Sequence, residues 1–148
     1  MEDYSRRYFL FNFQFSNFQF SMNDQSTNFQ TGSKYDLEER TAKFAEEAIS
    51  LFLKLPRTPI NDRLVGQATG STGSLGANYC EANEAESKKD FEHKIGICKK
   101  ETKESKHWIR LLAKANPNYK DDLRILWQEA QELLLIFSKI LSSARHNN

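Results

Sequence analysis

The sequence predicts an all-α protein, an antiparallel up-down-up-down four-helix bundle preceded by a tail of different composition. Three observations carry this. Phe91, Ile95, Cys98, Thr102, Ser105, Ile109 and Leu112 alternate spacings of four and three, which places them on one stripe of a helix about six turns long. Three further segments repeat that periodicity, and the connections between them are short enough to favour antiparallel neighbours. No stretch approaches the roughly 20 uninterrupted apolar residues of a membrane-spanning helix. At 148 residues the chain is the size of one domain with one core.

Residues 1–33 stand apart. Seven of the eleven Phe lie here, at positions 9, 11, 13, 15, 18, 20 and 29, alternating with Asn, Gln and Ser. Aromatic and amide alternation of this kind marks a low-complexity segment, expected to be disordered. Met22 offers an alternative start, which would make the preceding residues an unselected leader. Ser5-Arg6-Arg7-Tyr8-Phe9-Leu10 has the look of a twin-arginine export signal. Asn12, Gln14, Ser16, Asn17 and Gln19 interrupt the apolar region that should come after it, which argues against export.

The first helix is expected over residues 37–55, with Asp36 as N-cap and Glu39 closing a reciprocal capping box. Its inward stripe is Thr41, Phe44, Ala48, Leu51 and Leu55, and Pro56 and Pro59 end it. The second helix should begin near Ile60 and turn Leu64, Ala68, Ser71, Leu75, Asn78, Ala82 and Ala85 inward. Gly66, Gly70, Gly73 and Gly76 each cost a helix interior about 1 kcal/mol relative to Ala. A kink or break around residues 70–74 is therefore expected, with close backbone packing as the compensation. The third helix starts at Ser87 with Asp90 and runs to Ala115, where Asn116-Pro117-Asn118 stops it. The fourth spans about 121–144, with Leu123, Leu126, Ala130, Leu133, Phe137, Ile140 and Ala144 inward and Trp127, Leu134 and Leu141 widening the apolar face.

Net charge is +1, yet between residues 88 and 114 nine cations (Lys88, Lys89, Lys94, Lys99, Lys100, Lys103, Lys106, Arg110, Lys114) face four acids (Asp90, Glu92, Glu101, Glu104). Lys99, Lys103, Lys106, Arg110 and Lys114 form an outer ridge on the third helix at spacings suited to following a phosphate backbone. A solvated flank supported by pairs such as Lys100 with Glu104 is the simpler use of the same charges. On the opposite shoulder Ile97, Trp108 and Leu111 add a second apolar strip, the candidate surface for self-association. The alternative is that Trp108 caps the core of its own bundle.

No catalytic, cofactor or metal motif rises above chance. Glu104 with His107 and Asp90 with His93 have bundle di-metal spacing but share one helix and lie off its stripe. Cys98 falls on the buried stripe and Cys80 has no His close in sequence, so neither thiol has a base to activate it. Two cysteines do not make a disulfide framework, which fits a reducing, cytoplasmic setting.

Lys34-Tyr35-Asp36-Leu37-Glu38-Glu39-Arg40-Thr41, Leu55-Pro56-Arg57-Thr58-Pro59, Ser74-Leu75-Gly76-Ala77-Asn78-Tyr79, Glu81-Ala82, Ser87-Lys88-Lys89-Asp90-Phe91 and Lys100-Glu101-Thr102-Lys103-Glu104 recur in an order that is familiar. Over about residues 34–144 the chain resembles the bacterial four-helix bundle proteins encoded within, or related to those encoded within, intervening sequences of large-subunit ribosomal RNA genes. The resemblance implies a left-handed bundle, assembly as a homopentamer and no enzymatic activity. Through a related accessory protein of diversity-generating retroelements, it also implies contact with RNA or DNA and, by analogy, with a reverse transcriptase. Gly70 and Gly73 depart from that pattern. The expectation is a non-catalytic cytoplasmic oligomer without cofactor or membrane partner, presenting the third helix to nucleic acid. The alternative is a protein-protein scaffold without that role.

Overall fold

The computed structural model describes residues 36–146. They form four helices, α1 (Leu37–Phe52), α2 (Pro59–Asn83), α3 (Lys88–Ala115) and α4 (Lys120–His146), with a single 3-10 turn at Pro117–Tyr119 before α4. No strand occurs among the described residues. The Phe-rich segment of residues 1–33 lies outside them, and with it the expected disorder, the alternative start at Met22 and the export signal.

The helices begin where short polar side chains replace missing helical acceptors. Asp36 Oδ1 accepts from the backbone N–H groups of Glu38 and Glu39 at 3.0 and 3.2 Å. The reciprocal half of the expected capping box is not formed, because the Glu39 carboxylate pairs with Lys43 instead. Thr58 Oγ1 accepts from Asn61 N at 3.1 Å and Pro59 occupies the first turn, so α2 starts one residue earlier than expected. Ser87 Oγ accepts from Asp90 N at 3.1 Å. These are the residue types that best satisfy the orphan donors of a first turn.

α1 ends at Phe52, three residues before the expected Leu55. Leu55 is still buried, now on the turn rather than on the helix. Phe52, which the four-three spacing leaves off the stripe, is also buried. α2 runs unbroken through residues 70–74, so the expected break is absent. Nor does backbone packing explain most of its glycines. A Cβ added at Gly66, Gly70 or Gly73 would meet nothing within 4 Å, and only at Gly76 would it approach a neighbour, Thr41 Oγ1 at 3.4 Å.

The remaining stripe positions divide cleanly. Ile95, Cys98, Thr102, Ser105, Ile109 and Leu112 of α3 are all buried, as are Leu123, Leu126, Ala130, Leu133 and Phe137 of α4. Phe91 and Ile140 are half-buried and pack against that core. Asn78, Ala85 and Ala144 are also only half-buried. Ile136 joins the core although the stripe omits it. α3 packs extensively against α2 and α4, α1 packs against α2 and more sparsely against α4, and neither α1 with α3 nor α2 with α4 comes close. The helices thus surround one core in chain order.

Polar groups inside the bundle are all partnered; among the described residues no buried side-chain nitrogen or oxygen lacks a hydrogen bond. Between α2 and α3 the Ser71 and Ser105 hydroxyls lie 3.0 Å apart, Thr102 Oγ1 donates to Cys98 O at 2.7 Å, and Cys98 Sγ reaches Leu75 O at 3.4 Å. At one end Asn61 and Asn116 exchange amide hydrogen bonds of 2.7 and 2.9 Å. Each also donates to a backbone carbonyl, Asn61 to Pro56 O and Asn116 to Leu112 O. Across the α1/α4 seam Arg40 holds Glu129 through two bonds of 2.7 and 3.0 Å and reaches Glu132 at 3.3 Å.

Candidate nucleic-acid interface

The ridge read from α3 consists, in the structure, of four open positions and one closed one. Lys103, Arg110 and Lys114 are exposed and Lys99 is half-exposed. Among the described residues none of the four makes a salt bridge or hydrogen bond. Lys106 differs. Its ammonium sits 4.4 Å from the centroid of the Trp127 ring on α4 and hydrogen-bonds Gln131 Oε1. Burial, and after it the charge of Lys103, lowers its pKa from the ordinary lysine value. Lys106 thus makes a cation–π contact within the monomer, whereas the spacing alone gave it the same role as its neighbours.

Crossing to α4 exposes residues that the α3 ridge could not reveal. Lys120, Arg124, Trp127 and Gln131 recur at spacings of four, three and four, one row of that helix. The Lys106 contacts place the row beside the α3 ridge. Lys120 and Arg124 are exposed and have no ionic partner among the described residues. The result is a two-row cationic face with one indole set into it. The four-three-four spacing on α4 was legible in the sequence, but which helix it borders was not. Lys100 is held aside by Glu104 at 3.7 Å, and with Gly96, Lys99 and Lys103 they line a shallow depression.

The apolar strip on the other shoulder does not project as a unit. Leu111 is exposed, whereas Ile97 and Trp108 are half-buried and Trp108 packs against the core. His107 meets the Trp108 ring edge-on at 4.9 Å between centroids. No group of three or more His, Cys, Asp or Glu is arranged to hold a metal among the described residues. Cys98 is buried and its thiol is pushed up to about 12, burial being the main cause; Cys80 is exposed and also raised, again first by burial and then by Glu38. A raised thiol pKa is the opposite of what a nucleophile needs. No described helix is long and apolar enough to cross a membrane.

Fold and surface together define a small four-helix protein whose distinguishing feature is a cationic helical face. The family model for the 23S rRNA-intervening sequence protein matches residues 33–139, and the chain belongs to that family. A crystal structure of a protein of unknown function from the S23 ribosomal protein family of Bacteroides thetaiotaomicron superposes with a TM-score of 0.63 at 23% identity, covering 71% of this chain and 97% of that one. At that identity the likeness speaks for the fold. No curated protein matches the chain.

Proposed function

We propose that the protein is a non-catalytic cytoplasmic accessory protein that binds nucleic acid, RNA before DNA, through the α3 face, and does so as a homo-oligomer. The observation that carries this is the row of Lys99, Lys103, Arg110 and Lys114, cations with no salt-bridge or hydrogen-bond partner among the described residues. An i,i+4 acid can pair a surface cation, as Glu39, Glu92 and Glu104 do for Lys43, Lys88 and Lys100; these four have none. The up-down-up-down course of the helices, supported by their adjacency in chain order, leaves this face turned outward. A left-handed bundle, a homopentamer and a reverse transcriptase as partner rest on the family resemblance.

Counterion release supplies the test. If four cations engage phosphates, the logarithm of the binding constant falls with the logarithm of salt concentration at a slope of about 3. Replacing Lys99, Lys103 and Arg110 by Glu should abolish retention of RNA at low salt, and unchanged retention removes the proposal. The second reading, a scaffold that uses Ile97, Trp108 and Leu111, draws on the exposure of Leu111. For that reading Trp108→Ala should reduce the assembly mass in light scattering. An unaltered mass with a lowered melting temperature assigns Trp108 to the monomer core.

A further inference from the structure

The cationic face contains one aromatic side chain, and its setting is unlike that of the other large apolar residues. Trp127 is half-buried and packs against the core cluster, and the Lys106 ammonium stands over its ring at 4.4 Å. Among the described residues that ammonium has no acid to neutralise it, and the acceptor it hydrogen-bonds is the neutral Gln131 amide. Desolvation there disfavours its charge, and both groups that hold it, the indole face and the Gln131 amide, are neutral, so a phosphate competes for it with a full charge. One turn to either side of Lys106 on α3 are Lys103 and Arg110, and one turn before Trp127 on α4 is Arg124, none with an ionic partner among the described residues.

A backbone held by such cations brings its bases within reach of the indole. In a duplex every base is paired and stacked within the helix, and only phosphates and groove edges meet a convex helical surface. In a single strand a base is free to turn inward. Every base has a π-face, so stacking on an aromatic platform beside a cationic track is the usual way such strands are held. We infer that Trp127 is a stacking platform for an unpaired base and that Lys106 is its displaceable cover, which makes the ligand of the α3/α4 face a single-stranded nucleic acid. The inference rests on the nucleic-acid reading proposed above and narrows its ligand class.

Fluorescence anisotropy with the full chain tests it, using a labelled single-stranded RNA of about 12 nucleotides and the same strand annealed to its complement, both at low salt. The single strand should bind more tightly. Trp127→Leu should weaken that binding about tenfold and leave the duplex unaffected, and Trp127→Phe should retain part of the preference. Because the chain has two Trp, emission from the Trp108→Phe protein reports on Trp127 alone and should be quenched by the single strand only. This readout decides the matter even if Trp127→Leu fails to fold. Equal affinity for both probes without quenching, or an equal loss on both with Trp127→Leu, overturns the stacking role. Loss of both probes upon charge reversal of Lys99 and Lys103, with Trp127→Leu neutral, keeps the cationic face and overturns the platform. Binding of neither probe by the wild-type protein overturns both.

Discussion

At the scale of single residues, buried polar groups carry more consequence than the apolar ones around them. Cys98 keeps its proton in the folded protein up to about pH 12, while in the unfolded chain it loses it at the ordinary thiol value. Between those limits the unfolded state binds fewer protons, so alkali drives unfolding. Stability attributable to Cys98 is intact below about pH 8.5 and is lost as pH rises toward the folded value. Urea midpoints measured over that range should fall with pH, and Cys98→Ala should flatten the slope. The Asn61 and Asn116 amides pose a different risk. Truncating Asn116 to Ala leaves the buried Asn61 Oδ1 without its donor, at about 1–3 kcal/mol, visible as a lower urea midpoint. The double variant should cost less than the two single losses added together, since the second truncation removes the orphan created by the first. Thr102 and Ser105 were legible as inward positions from spacing alone. The asparagine pair was not, because its members are 55 residues apart and each reads locally as a cap or helix stop.

Among the elements, α2 shows where local propensity and tertiary structure part ways. Its glycines argued for a break, yet the helix is continuous, because burial of Ala68, Ser71, Thr72, Leu75 and Ala82 along its whole length outweighs the backbone entropy. Since a Cβ at Gly66, Gly70 or Gly73 meets open space, each Gly→Ala substitution there should raise stability by about 0.5–1 kcal/mol, read by thermal denaturation. Gly76→Ala should gain less, as Thr41 must yield to it. α3 and α4 were legible almost residue by residue, because their apolar periodicity is sustained over many turns. The end of α1 was misplaced because Leu55 stays buried on a turn, so periodicity continued where the helix did not. The candidate site was half legible: the α3 ridge followed from spacing, whereas the Lys106–Trp127 contact depends on which α4 turn lies beside it.

For the whole molecule the near-neutral total conceals a separation of charge. Residues 36–86 carry nine acids (Asp36, Glu38, Glu39, Glu46, Glu47, Asp62, Glu81, Glu84, Glu86) and five cations (Arg40, Lys43, Lys54, Arg57, Arg63), opposite in balance to α3. Such a distribution orients a polyanion toward one side before contact is made. The net charge alone does not show this separation. Because the core is assembled from α1 onward, a chain lacking residues 1–33 should keep its helical circular dichroism and melt cooperatively. Loss of that transition would mean the four helices do not suffice.

The asparagine clasp also has a dynamic consequence. It fastens the α1/α2 turn to the end of α3 with buried bonds, whereas at the far end of α2 polar links to α1 run through the exposed Glu38, which accepts from Asn83 at 3.1 Å and interacts with Cys80. Opening fluctuations should therefore start at the Asn83 end, so amide protons near Leu37 and Asn83 exchange with deuterium sooner than those near Asn61 and Asn116.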